Sequence, residues 1–160
     1  MACLPFAVSA YEIAGNNIRT QWAEEVGPDN ARPEYPRPQL VRPGWECLNG
    51  LWDYAISPVE AEEMPSPDGQ ILVPFCVESA LSGVCRRVDG NQLLWYRTTV
   101  ARPAQWQGRK VLLHFDAVDW SAEIYLGGKL VATHTGGYTA FEVDATEALA
   151  EGQAELVVKV

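Results

Sequence analysis

Short apolar runs recur along the chain from residue 51 onward, and clusters of Gly, Pro, Asp and Ser separate them. Residues 51–56 (LWDYAI) alternate, which is typical of a strand with Trp52, Tyr54 and Ile56 on one face. The predicted strands cover residues 51–56, 71–73, 94–100, 109–115, 122–126, 129–133, 140–143 and 155–160. No long segment has the helical period, and residues 146–150 are predicted to form one helical turn. Short strands separated by turns predict an all-β fold, either a sandwich or a jelly roll.

The clearest turn signal is Gly127–Gly128, which separates two of these predicted strands. A tight two-residue hairpin needs positive φ, and glycine adopts it without a steric penalty. Before the strands, residues 1–18 carry no clear pattern, and residues 19–43 are rich in Pro and Arg. Residues before proline avoid the helical region, so we predict an extended segment laid across the folded body, with a disordered linker as the alternative. We therefore expect an irregular segment over 1–18 and one β-sandwich domain over 19–160.

Composition excludes some partners. The chain has 160 residues, enough for one domain with a core, and a formal net charge of −9. That charge argues against nucleic acid and against anionic membrane surfaces, which attract basic patches. No apolar run approaches the roughly 20 residues of a membrane span. The apolar start lacks a preceding Lys or Arg and makes a poor signal peptide, so we expect a cytoplasmic protein.

The four cysteines, Cys3, Cys47, Cys76 and Cys85, fit no zinc-binding spacing, and the two histidines lie far from any cysteine pair. We predict no metal site. Cysteine often behaves as a small apolar residue, so free thiols are expected, with a Cys76–Cys85 disulfide as the alternative.

Three ordered motifs carry a family resemblance. The first, within residues 33–56, comprises Arg37, Arg42, Trp45, Leu48, Asn49, Gly50 and Trp52. The second, residues 71–84, reads ILVPFCVESALSGV and continues to LWYRTTV at 94–100. The third comprises His134, Gly136, Gly137, Tyr138, Thr139, Phe141, Asp144 and Thr146.

Together these motifs resemble the N-terminal sugar-binding domain of glycoside hydrolase family 2, which includes β-galactosidases and β-glucuronidases. The resemblance covers about residues 19 to 160. It departs from the family pattern at Ala140, where Pro is usual, and at Gly127, where Asn is usual. Both positions lie in turns, so the expected fold is unaffected.

The resemblance implies a galactose-binding-like jelly roll in a parent enzyme that hydrolyses terminal β-linked sugars with retention. Retaining hydrolysis uses two carboxylates, which the family places on a downstream (β/α)8 barrel. We therefore expect no catalytic residues and no activity in this chain, which stops in mid-pattern at Val160 and is expected to be a fragment. The implied partners are carbohydrate and the downstream barrel, with homo-oligomerisation possible. No cofactor is implied.

The best candidates for sugar or domain contacts lie in a polar loop and at the start of one strand. Loops on a rigid sandwich commonly display binding residues, and the family's corresponding loop approaches the mouth of the active site on the barrel. The candidate contact residues in this loop are therefore Glu78, Arg86, Arg87 and Asp89. The alternative is that they are solvated loop charges without a binding role. Trp120 is the fifth candidate, because its aromatic face suits the apolar C–H face of a pyranose.

Two other functions remain open at this point. A free-standing lectin-like module would use the same scaffold and would bind sugar saturably, because sandwich folds host many functions. A purely structural docking domain would bind no sugar and would expose an apolar face.

Overall fold

The structure, a computed structural model, describes residues 11–160. Within that range, eight strands follow one another in the chain, with only short 3-10 helices between them. The strands are β1 (Gly50–Pro58), β2 (Gly69–Val73), β3 (Gln92–Ala101), β4 (Leu112–Phe115), β5 (Ser121–Leu126), β6 (Lys129–Thr135), β7 (Phe141–Asp144) and β8 (Gln153–Lys159). The 3-10 helices are Ala23–Glu25, Pro38–Leu40, Ala80–Ser82 and Ala104–Trp106. The all-β prediction is confirmed.

Six strands form one antiparallel sheet in the order β2-β1-β3-β8-β5-β6, and β4 pairs with β7 in a second sheet. The last strand in sequence, β8, lies between β3 and β5. The register pairs Trp95 with Lys159 on one side of β8 and Glu123 with Lys159 on the other. Strands distant in sequence are thus joined through β8, and the arrangement is that of a β-sandwich.

The core lies between the six-stranded sheet and the β4–β7 pair. Side chains that alternate along each strand fill it, as a strand with one buried face requires. Its buried members include Trp52, Ile71, Leu94, Leu113, Ile124, Leu126, Val143, Leu149, Leu156 and Val158. Trp52 packs with Tyr54 and Ile56 toward this core, so the predicted alternation of β1 is confirmed.

The outer face of the large sheet is mostly polar, with one buried aromatic. Trp95 is 1% exposed, and its indole Nε1 donates a hydrogen bond to Ser57 Oγ at 2.8 Å. Nearby, Arg97 donates to Asp53 at 2.8 Å across the β1–β3 pair. Lys159 pairs with Glu123 at 3.1 Å, and its ammonium lies 5.4 Å from the centre of the Trp95 ring. This face is therefore held by ion pairs between strands.

The Pro-rich segment contacts the folded body, as the extended interpretation predicts. The Asn49 side chain donates to the carbonyls of Ala31 and Arg32 at 3.0 and 3.1 Å, and Ala23 and Ala31 are buried. Residues 11–17 form no strand but are hydrogen-bonded to the loop after β2, for example through Tyr11 Oη to the Leu81 carbonyl at 2.7 Å. The remainder of the predicted irregular segment, with Cys3, lies outside the described residues.

One of two predictions for the segments around Thr146 needs correction. The predicted strand 109–115 begins only at Leu112, because the Val111 amide donates to Thr146 Oγ1 at 2.9 Å rather than joining the β4–β7 ladder. The single helical turn predicted over 146–150 agrees with the structure, where the Leu149 amide donates to the Ala145 carbonyl at 3.0 Å, the i to i−4 bond of one helical turn. Thr146 and the buried Ala145 and Leu149 thus shape this connection through tertiary contacts.

Candidate functional site

Several connections meet at one end of the sandwich, here called the loop end and defined by residues 59–68, 86–91, 116–120 and 136–140. The strand register places these connections together, because β3 and β5 begin, and β8 ends, at the same end of the sheet. The Val59 amide donates to the Asn91 carbonyl at 3.3 Å, which joins the first two connections. The opposite end, the hairpin end, carries Gly127–Gly128. Loops at one end of a sandwich are where such folds display binding residues.

Three predicted site residues, Arg86, Arg87 and Asp89, lie at the loop end just before β3. Arg87 Nε lies 3.2 Å from Asp89 Oδ1, and the Arg86 guanidinium is 4.0 Å from Asp68 Oδ2. The Arg87 side chain is 86% exposed, so most of the guanidinium remains in solvent even though it pairs with Asp89. An exposed pair of this kind contributes at most about 1 kcal/mol to stability. Arg87 is therefore available to an anionic ligand.

Glu78 is placed differently. Its backbone carbonyl accepts a hydrogen bond from Asn17 Nδ2 at 2.6 Å, early in the same connection. Burial raises the pKa of Tyr96, in the middle of β3, and the Glu78 carboxylate raises it further. Within residues 11–160, no hydrogen bond or ion pair joins the Glu78 side chain to the other predicted site residues. The sequence grouped Glu78 with Arg87 because both lie in one loop, but that loop spans the sandwich.

Trp120 also lies at the loop end, at the entry to β5, and 64% of it is exposed. Its carbonyl accepts a hydrogen bond from the Gly136 amide at 2.8 Å, which joins the 116–120 and 136–140 connections. The preceding side chain, Asp119, lies directly against Gly137: a Cβ added there would be 2.6 Å from the Asp119 Cγ. These two contacts hold the two loops side by side.

His134 supports this corner of the loop end. Its ring stacks on Phe141 at 4.2 Å between centroids, and Phe141 stacks on Phe115 at 4.8 Å. His134 Nε2 lies 3.1 Å from both the Gly136 carbonyl oxygen and Thr139 Oγ1. These contacts agree with a structural histidine. Tyr138, which follows the two glycines in the same loop, is 98% exposed and does not pack on the sandwich.

Sequence reasoning missed two members of this corner, Asp119 and Tyr138. Tyr138 follows two glycines, a signal that the loop approaches other backbone closely and presents its next side chain outward. Asp119 precedes the predicted site residue Trp120, but nothing in the sequence shows that it packs on a glycine of a different loop.

Two carboxylates outside the predicted site, Asp144 and Glu123, have lowered pKa values. Hydrogen bonds from Thr146, followed by the Lys110 ammonium at 3.1 Å, lower the pKa of Asp144 to about 2. On the outer sheet face, the Tyr125 hydroxyl and then Lys159 hold the pKa of Glu123 below its usual value. Among the described residues, neither carboxylate is hydrogen-bonded or ion-paired to a predicted site residue, and local contacts explain both shifts.

Cysteine and metal chemistry add nothing to this site. Cys47, Cys76 and Cys85 are free thiols, so within the described range the Cys76–Cys85 disulfide is not formed; Cys3 lies outside it. Among residues 11–160, no three His, Cys, Asp or Glu side chains come close enough to hold a metal ion. The same residues contain no helix that is both long and apolar enough to span a membrane.

Comparison with known proteins supports the family resemblance. Residues 84–160 match the family described as "Glycosyl hydrolase 2 galactose-binding domain-like". The predicted resemblance to the N-terminal domain of glycoside hydrolase family 2 is confirmed. The matched residues contain β3 to β8, together with Trp120 and the 136–140 loop.

Individual relatives agree with this assignment. The domain is 39% identical over 72 residues to a β-galactosidase of Thermoanaerobacter pseudethanolicus, covering 45% of this chain and 10% of that protein. It is 32% identical over 115 residues to a β-glucuronidase of Bacteroides fragilis, covering 69% and 15%. Among solved structures, a Faecalibacterium prausnitzii β-glucuronidase superposes with a TM-score of 0.59 at 35% identity, covering 70% of this chain and 20% of that one. The chain thus corresponds to a small N-terminal part of its multidomain relatives.

Proposed function

We propose that this chain is the sugar-binding and scaffold domain of a retaining glycosidase that removes a terminal β-linked galactose or glucuronic acid. The observation that carries this proposal is the match of residues 84–160 to the galactose-binding-like family, within relatives several times longer than this chain. In the proposed parent, the loop end faces the barrel and its substrate, with Arg86, Arg87, Asp89 and Trp120 near the entrance.

The domain itself is proposed to be catalytically inactive. Retaining hydrolysis needs a nucleophile and an acid/base carboxylate about 5 Å apart across the scissile bond. Family resemblance assigns both groups to the downstream barrel. The role left to this domain is to position the substrate and to brace the barrel.

The direct test compares the natural protein that contains these residues with the 160-residue chain alone. Release of nitrophenol from nitrophenyl β-D-glucuronide and β-D-galactoside is measured, and proton NMR identifies the anomer formed first. The proposal predicts hydrolysis by the natural protein with the β anomer first, and none by the chain alone. Hydrolysis by the chain, or first formation of the α anomer, would overturn it.

Arg87 gives a sharper test of the proposed entrance. Its exposed guanidinium suits the carboxylate of a glucuronide. In a natural protein that accepts both substrates, Arg87→Ala should raise KM for the glucuronide about threefold, the effect of a screened ion pair, and leave KM for the galactoside unchanged. Arg109→Ala, which removes an exposed charge at the hairpin end, is the matched control. Equal effects of the two substitutions would exclude a role for Arg87 in substrate recognition.

A further inference from the structure

Two large aromatic side chains stand in solvent on neighbouring loops of the loop end. Trp120 is 64% exposed and Tyr138 is 98% exposed. We propose that these two rings, with the Asp119 carboxylate, form a platform that binds the ring of a neutral pyranoside. The proposal deepens the proposed function and rests on it for the choice of sugars.

The backbone positions of the two rings are fixed relative to each other. Gly136 donates its amide hydrogen to the Trp120 carbonyl at 2.8 Å, and Tyr138 is two residues from Gly136. Hydrogen-bonded neighbours have Cα atoms about 5.5 Å apart, and two residues span at most about 7 Å. The Cα atoms of Trp120 and Tyr138 therefore lie within about 12 Å, a separation that one or two sugar rings can bridge.

The loops that carry the rings are anchored before any ligand arrives. Asp119 fills the space where Gly137 has no side chain. On the other side, His134 contacts the Gly136 carbonyl and Thr139 and is stacked on Phe141. A site held in its bound form loses little conformational entropy on binding. These anchors distinguish the platform from two aromatic residues on a mobile loop.

The chemistry of the three side chains fits a sugar. Aromatic faces pack on the apolar C–H face of a pyranose, while a carboxylate accepts hydrogen bonds from hydroxyl groups. Within residues 11–160, no hydrogen bond or ion pair engages the Asp119 carboxylate, and the residue is exposed. Oδ1 is the carboxylate atom nearest to Gly137, and the other oxygen, Oδ2, is the acceptor assigned to ligand hydroxyls.

Charge selects among sugars. The loops 116–120 and 136–140 contain Asp116 and Asp119 and no Lys or Arg. A uronic acid bound on the platform would bring its own carboxylate toward these two, and like charges repel. The platform therefore prefers a neutral pyranoside, such as a β-galactoside, over a β-glucuronide.

The test is calorimetric titration of the 160-residue chain with methyl β-D-galactopyranoside and with methyl β-D-glucuronide. The platform predicts saturable binding of the galactoside with a Kd in the millimolar range, and at least threefold weaker binding of the glucuronide. Trp120→Ala and Tyr138→Ala should each weaken galactoside binding at least fivefold, whereas Tyr138→Phe keeps the ring and most of the affinity. Trp22→Ala is the matched control, since Trp22 is 60% exposed but lies in the segment before β1.

Other results would overturn the platform. These are no saturable heat from a chain with a cooperative thermal transition, equal losses in Trp22→Ala and Trp120→Ala, or tighter binding of the glucuronide. The first result would instead indicate that the two rings pack against another protein domain. Failure of the platform proposal can be told apart from failure of the proposed function. If only the platform proposal is wrong, the natural protein still hydrolyses its nitrophenyl glycoside.

Discussion

At the residue scale, the contact between Asp119 and Gly137 decides the shape of the candidate site. The carboxylate-bearing side chain of one loop occupies the space beside the glycine of the next, so the two loops approach more closely than any other residue at 137 would permit. The sequence predicted a Gly-rich turn here, because consecutive glycines are a turn signal. It did not predict the partner, since Asp119 and Gly137 are brought together only by the pairing of β5 with β6.

Gly137→Ala should therefore destabilise the domain. The added methyl group would collide with the Asp119 side chain, and relief requires movement of one loop, at a cost of about 1–3 kcal/mol. Urea unfolding monitored by fluorescence measures this loss. Gly90→Ala is the matched control, because a Cβ at Gly90 meets no atom within 4 Å and its φ is not left-handed. A loss no greater than that of the control would contradict the close approach.

Asp144 predicts how stability depends on pH. Its hydrogen bonds with Thr146 and its pairing with Lys110 lower its pKa from 3.8 to about 2 in the folded state. A lowered pKa means that the charged form stabilises the fold, so this contribution is complete above pH 4 and disappears as the pH falls toward 2. The difference in unfolding free energy between the wild type and Asp144→Asn should be largest above pH 4 and shrink between pH 4 and 2. A difference independent of pH over this range would contradict the assignment.

At the element scale, periodicity and turn chemistry predicted the strands well. The hairpin between β5 and β6 turns at Gly127 and Gly128, whose φ values of 55° and 76° are those that a two-residue hairpin requires. The irregularity between Ile124 and Tyr125 within that hairpin was not predicted, because the extra residue lies in β6, a largely exposed strand without a buried alternation for it to interrupt. The order of strands was equally invisible, since pairing of β8 with both β3 and β5 is a tertiary property.

The position of β8 makes its core side chains critical. Leu156 is buried in the core and lies opposite Thr98 of β3 and Leu126 of β5. Leu156→Ala should lower the free energy of unfolding by about 2–5 kcal/mol, because the cavity touches both neighbours of β8. Leu130→Ala on the exposed edge strand β6 should change it by less than about 0.5 kcal/mol. Similar losses in the two variants, measured by urea unfolding, would contradict the central role of β8.

At the scale of the whole molecule, the domain separates a loop end with candidate ligand contacts from a hairpin end without them. Sequence motifs gave the family, and the structure then sorted the candidates: Arg86, Arg87, Asp89 and Trp120 share the loop end, whereas Glu78 lies apart from them. This sorting could not be read from sequence. Residues of one loop can lie at opposite ends of the sandwich. Residues far apart in sequence come together where their strands begin or end at the same end of the sheet.

Sugar binding at the loop end is tested by titrating the isotopically labelled chain with methyl β-D-galactopyranoside and recording nitrogen–proton correlation NMR spectra. Sugar recognition at the loop end predicts that backbone signals shift at 116–120 and 136–140, with smaller changes at 86–91, and that Gly127 and Gly128 stay unchanged. Shifts centred on the hairpin end, or no shifts at saturating sugar, would contradict the claim that this domain recognises sugar at its loop end.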